Sequence, residues 1–235
     1  MPINLVKGQR VEIGLSKLIV EMGWRVNPNV MPPYDLDAST FLLRANGQIG
    51  VEEDFVFYGS SNKIQAIDKE TGKKLYDDNG NPVMRPLSAD TSVLGSVDDL
   101  GKDEDNTGEG NEEIEIDLSK TNPLIKEIIF TASLYWHPSD EHTFYTDEET
   151  GQKYPNKPRM KYNFGQVRNA YILIKNAVTG EEICRYDLDE DFSTEKGVEF
   201  GRLYRRNDAW KFEAVGIPYT DGLEPICRKY ASKFM

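Results

Sequence analysis

Apolar and polar residues alternate with a period of two along much of this chain, the pattern of extended segments with one face turned to a core. Glu113-Ile-Glu-Ile-Asp-Leu118 and Trp210-Lys-Phe-Glu-Ala-Val215 carry it most plainly. Other runs are apolar without a break, such as Ile128-Ile-Phe130 and Tyr171-Ile-Leu-Ile174, and predict strands that lie deeper. Strands are predicted over 17–24, 39–44, 54–58, 113–118, 127–135, 169–175, 182–187, 198–204 and 210–215. Helical patterns are scarce, with short candidates at 119–126 and 223–232. Many short strands separated by Gly, Asn and Asp turns favour an all-β sandwich or barrel over a parallel α/β sheet.

Turn chemistry punctuates these runs. Ala45-Asn-Gly-Gln48 and Asp78-Asn-Gly-Asn81 are hairpin signals. A Thr-Gly turn recurs in Asp68-Lys-Glu-Thr-Gly72, Asp147-Glu-Glu-Thr-Gly151 and Asn176-Ala-Val-Thr-Gly180, and reads as three hairpin tips of one design. Two polar segments, 59–87 and 138–161, interrupt the strand pattern, and each is expected to form an inserted surface hairpin. Neither has the Gly/Ser composition of a flexible linker, so residues 1–235 read as a single domain.

The bulk numbers narrow the function classes. With 235 residues and a 38% hydrophobic fraction the chain can bury a sizeable core. No apolar stretch approaches the roughly 20 residues that span a bilayer, and the opening Met-Pro-Ile-Asn-Leu-Val-Lys-Gly lacks the layout of a secretory signal. A cytoplasmic address is therefore the expectation. Two cysteines, Cys184 and Cys227, make no disulfide framework, and with only His137 and His142 beside them there is little material for zinc. The net charge of 28 − 40 = −12 argues against nucleic-acid binding, because such a surface repels phosphate.

That charge is concentrated. From Asp98 to Asp117, 10 of 20 residues are acidic, and only Lys102 opposes them. Close carboxylates repel by roughly 1 kcal/mol per pair even in water, so the segment either stays loose and hydrated or is gathered by a hard cation. Calcium takes six to eight oxygens from carboxylates, amides and backbone carbonyls. Asp103-x-Asp105-x-Thr107-Gly108 begins like a helix-flanked calcium loop, but its twelfth position is Ile114 and strand follows, so it is not one. Magnesium prefers fewer protein ligands, and transition metals would want His or Cys. A second group, Asp35-Leu-Asp37, puts two carboxylates on one side of an extended segment; a third, Asp187 to Glu195, offers Asp, Ser and Thr oxygens or a simple capped turn.

Taken together, several blocks resemble the TerD family of tellurium-resistance and stress proteins. They are Ile3-Asn-Leu-Val-Lys-Gly-Gln-Arg10, Gly23-Trp24, Tyr34-Asp-Leu-Asp-Ala-Ser39, Asp54-Phe-Val-Phe-Tyr58, Asn163-Phe-Gly-Gln-Val-Arg-Asn-Ala170, Thr179-Gly-Glu-Glu-Ile-Cys-Arg-Tyr-Asp-Leu188 and Trp210-Lys-Phe-Glu-Ala-Val-Gly216. In order, they cover the chain apart from the two inserts. The resemblance implies an antiparallel β-sandwich with short helices, cytoplasmic, binding calcium through Asp35, Asp37 and an acidic loop. Within the loop it implies Glu109, Asn111, Glu112 and Glu113. For the loop's first half, Asp98 and Asp99 match the family by spacing, whereas Asp105 and Asn106 match it by identity, and one of the two stretches is an insertion. Implied partners are other tellurium-resistance proteins, with an integral-membrane component as a route to the inner face of the membrane.

No nucleophile stands beside an activating base. GxSxG, Walker A, HExxH and Cys/His pairs are absent. His137 reads as a hydrogen-bonded strand-end residue, and Gln166 with Arg168 as a turn entering a strand. Two widely separated cysteines offer no redox pair for reducing tellurite. The expectation is a non-enzymatic, calcium-dependent scaffold or binding module; the alternative is a magnesium- or manganese-dependent phosphoesterase or nucleotide-handling enzyme built on the acidic cluster.

Overall fold

The alternating segments pair into two six-stranded sheets whose apolar faces meet in one core. The computed structural model describes residues 2–25, 27, 29–97, 109–134, 136–147, 150–188, 192 and 194–235, with the backbone alone at 109 and 110. In chain order the strands are β1 (Ile3–Leu5), β2 (Arg10–Ile13), β3 (Lys17–Arg25), β4 (Leu36–Arg44), β5 (Phe55–Val56), β6 (Lys63–Gln65), β7 (Met84–Pro86) and β8 (Val93–Leu94). There follow β9 (Glu109–Asp117), β10 (Ile125–Leu134), β11 (Phe144–Thr146), β12 (Lys153–Pro155), β13 (Arg168–Asn176), β14 (Glu182–Asp187), β15 (Gly197–Arg206) and β16 (Ala209–Tyr219), then the helix α1 (Leu223–Tyr230).

One sheet runs β1-β14-β13-β3-β9-β8 and the other β2-β16-β15-β10-β4-β5. Every pair within them is antiparallel except β1 with β14, a parallel pair at one edge. Leu18, Val20, Met22, Ile114, Ile116, Ile172 and Ile174 point inward from the first sheet, against Leu42, Ile128, Phe130, Leu203 and Phe212 from the second. The unbroken apolar run of β10 has a direct cause. Ile128 and Phe130 enter the inter-sheet core, whereas Ile129 faces outward into a second cluster with Phe41, Leu43, Ile226 and Tyr230. There α1 lies on the outer face of the sheet, so that sheet is covered on both sides.

The segment 119–126 is not helical: it turns, and β10 begins at Ile125. Asp117 Oδ1 accepts from Ser119 N and Oγ, and Pro123 biases Asn122 away from helical backbone, so local chemistry builds a turn instead. Both inserts form surface hairpins, β6–β7 in 59–87 and β11–β12 in 138–161. The three Thr-Gly turns share one geometry. Gly72, Gly151 and Gly180 have positive φ and donate to the carbonyls of Asp68, Asp147 and Asn176, whose side chains accept from the threonine N–H.

Candidate metal centre

Of the candidate ligands, Asp35, Asp37 and Glu112 are buried, with 7%, 5% and 5% of their surface exposed, and two of them, Asp37 and Glu112, line one recess. Alternation explains Glu112. In β9 it shares its side with Ile114 and Ile116, which belong to the core, so its carboxylate points between the sheets. There Glu112 Oε2 accepts the N–H of Ala38 in β4 at 2.8 Å, a bond from one sheet to the other. Asp37 lies next to that N–H in the chain and opposite Ser133 of β10. Asp37 and Glu112 line one recess of about 20 Å³, closed by Val56, Pro86, Gly95 and Ser96 and large enough for one water-sized occupant.

The next residue along β9 goes the other way. Glu113 is on the outer face, where its carboxylate is 2.9 Å from Lys69 Nζ; Glu115, two residues on, meets Lys69 at 3.4 Å and Arg85 at 2.7 Å. Burial would push the Glu115 carboxyl up, but Arg85 and Lys69 together hold it below its ordinary value. Asn111, on the same side as Glu113, is exposed. Asp98, Asp99, Asp105 and Asn106 lie outside the described residues, as does the side chain of Glu109. Among the described residues no group of three or more His, Cys, Asp or Glu side chains is arranged to hold a metal. The donors that are brought together are nonetheless all oxygen, carboxylate and partly desolvated. That set suits a hard divalent cation and not a soft one.

Lys69 and Arg85 are partners that the sequence did not announce, because they come from the inserted hairpin, 44 and 30 residues from the glutamates they meet. The resemblance groups Glu112 with Glu113, whereas β9 runs from Glu109 and its pleat turns the two to opposite faces. His137 is a cap: its Nδ1 accepts from Ser139 N at 3.2 Å and contacts Ser139 Oγ at 2.7 Å, starting a short 3₁₀ turn at Pro138–His142. Gln166 closes the turn before β13 by accepting from Asn163 N. Cys184 is buried, which pushes its thiol up to about 12, and Cys227 is raised to about 11 by burial and Glu224, so neither is an activated thiolate. No helix is long and apolar enough to cross a membrane among the described residues.

The TerD domain model matches residues 1–82 and 154–230. General stress protein 16U of Bacillus subtilis (strain 168) is 35% identical over 237 residues, covering 98% of this chain and 97% of that one. Tellurium resistance protein TerD of Serratia marcescens is 30% identical over 236 residues, with 98% and 97% covered. A solved homologue of telluride resistance protein (TerD) from Streptomyces coelicolor A3(2) superposes with a TM-score of 0.54 at 14% identity, over 93% of this chain and 98% of that one, a likeness of fold. These names describe stress and resistance, and none of them names a reaction.

Proposed function

We propose, from the premise that this chain belongs to the TerD family, that it is a calcium-binding, non-enzymatic module of a stress response that includes tellurite resistance. The observation that carries the reading is the burial of Asp37 and Glu112 in one narrow recess, next to a segment in which half the residues are acidic. Calcium supplies a double positive charge that offsets carboxylate repulsion and ties separate chain segments together. Asp35, Asp37 and Glu112 would hold it, with oxygens from Asp98, Asp99, Asp105, Asn106 and Glu109. Asn111 and Glu113 face outward from β9, Glu113 on Lys69, and would stay outside it. A cytoplasmic scaffold ordered in this way would meet other resistance proteins, and through an integral-membrane partner the inner membrane face.

The chain's own residues prepare the site. Ala38 N–H steadies the Glu112 carboxylate, and Val56 and Pro86 keep bulk water from the recess. Isothermal titration with calcium, together with melting in calcium, magnesium and EDTA, tests the reading. Calcium at 100 times its Kd is expected to add about 2.7 kcal/mol, or roughly 5–10 °C in Tm for a chain of this size. Magnesium should do much less, and Asp35→Asn/Asp37→Asn should abolish the rise. Magnesium-stimulated phosphate-ester hydrolysis, or a Tm indifferent to calcium, overturns it.

A further inference from the structure

The recess has a wall made by the inserted hairpin. Pro86, at the end of β7, lines it, together with Gly95 and Ser96 from the chain just after β8. Gly95 packs so closely on Pro86 that a Cβ there would fall 2.5 Å from the proline ring, and Gly95 N donates to Pro86 O at 2.8 Å. Arg85, the neighbour of Pro86, is buried, and its guanidinium binds three groups at once. Nε donates to Gly95 O at 2.7 Å, Nη1 to Glu115 Oε1 at 2.7 Å, and Nη2 to Glu113 O at 3.4 Å. Ser96 Oγ adds a bond from Glu113 N at 3.3 Å. One side chain from the insert therefore fastens the chain after β8 to β9 at Glu113 and Glu115, just beyond Glu112.

We propose that Arg85 is a positioning residue for the cation recess, and that the hairpin 59–87 is energetically coupled to cation binding through it. The proposal rests on the calcium reading above. Physically, the guanidinium is planar and always charged, so its fork can hold a carbonyl and a carboxylate in fixed relation. Without it, the Gly95–Ser96 wall and Glu112 are joined only by weaker backbone and hydroxyl bonds, and the cation would have to bring them together itself. Coupling of this kind is reciprocal: whatever the hairpin adds to calcium affinity, calcium adds to hairpin docking. Lys69, whose ion pairs with Glu113 and Glu115 are largely exposed, contributes far less.

The test uses the full chain and calcium chloride, with titration calorimetry on the wild type, Arg85→Met, Arg85→Lys and Lys69→Met, and amide hydrogen exchange with and without calcium. Arg85→Met should weaken calcium about tenfold or more, Arg85→Lys should recover part of the loss because its charged ammonium can still donate but lacks the planar fork, and Lys69→Met should stay within about twofold. Calcium should slow exchange in β6 and β7 of the wild type, and that calcium-dependent protection should vanish in Arg85→Met, a readout that a merely structural arginine would leave alone. If the wild type binds calcium and Arg85→Met binds it equally well, the coupling is wrong and the calcium reading stands; if the wild type binds none, both fall. Should Arg85→Met fail to fold, Glu115→Gln decides, since it removes one partner of the clamp: weaker binding supports the proposal and an unchanged Kd overturns it.

Discussion

Gly23 lies opposite Tyr171 in the β3–β13 ladder, and a Cβ there would fall 2.3 Å from the phenol ring. The ring cannot simply swing aside, for Arg185 stacks over it at 3.7 Å and its hydroxyl donates to buried Glu21. Gly23→Ala is therefore expected to cost about 1–3 kcal/mol by overpacking, read as a lower urea midpoint with an unchanged slope. Its neighbour Trp24 faces the core, and among the described residues its Nε1 finds no acceptor. Much at this scale was legible. The Asp/Asn-x-x-Thr-Gly turns declare their own hydrogen bonds, whereas a strand pattern beginning at Glu113 leaves Glu112 and Glu113 together as candidate ligands. What Glu113 meets was not legible, because Lys69 is chosen by the docking of a distant hairpin rather than by any neighbour in sequence.

Among the elements, α1 shows how a short helix is held. Its apolar side, Ile226 and Tyr230, fills the cluster over Phe41 and Ile129, and Phe41 stacks on Phe55 at 4.3 Å. Its polar tether is Glu199 of β15, only 3% exposed, which accepts from Tyr219 OH at 3.0 Å, Tyr230 OH at 2.8 Å and Lys229 Nζ at 3.0 Å. Burial lowers the tendency of Lys229 to stay charged, yet Tyr219, Tyr230 and Glu199 together raise its pKa; burial and then Glu199 raise that of Tyr230. Glu199→Ala would strand an ammonium and two phenols, and is expected to cost about 2–4 kcal/mol, with Glu199→Gln losing less. Urea melts of both variants check the order. All nine strands read from periodicity are present, and the C-terminal helix with them. The short strands β1, β2 and β8 escaped, and β6–β7 and β11–β12 were expected only as hairpins without bounds, because two to four residues carry too little pattern to be seen.

At the scale of the whole molecule, acid is the revealing variable. Burial would raise the carboxyls of Asp90, Glu115 and Glu213, but each ends below its ordinary value. Asp90 is held down by Asn122, Ser92 and Ser88, Glu115 by Arg85 and Lys69, and Glu213 by Arg10 and Arg202. A carboxyl lowered by folding stabilises the native state fully above its unfolded pKa of about 4, and loses that contribution as pH falls through the lower native value. Asp54 runs the other way: burial raises its carboxyl despite N–H bonds from Gly50 and Val51, so its protonation favours the fold. Three groups outweigh one, and the urea midpoint is expected to drop between pH 5 and pH 3, with proton uptake on unfolding. A midpoint flat across that window would contradict the assignment.

The sequence by itself determined the strand-rich class, the turn positions, the family and where acidic residues concentrate, since each of these is written in patterns of two to twenty neighbouring residues. Only the tertiary structure decided which acidic residues line the same recess. Asp37 and Glu112 belong to different sheets and are joined by packing, whereas Glu112 and Glu113 are adjacent in the chain and are sent by the pleat to opposite faces. The hairpin 59–87 came to lie beside the recess in the same way, because Arg85 reaches across the fold to partners that nothing local specifies.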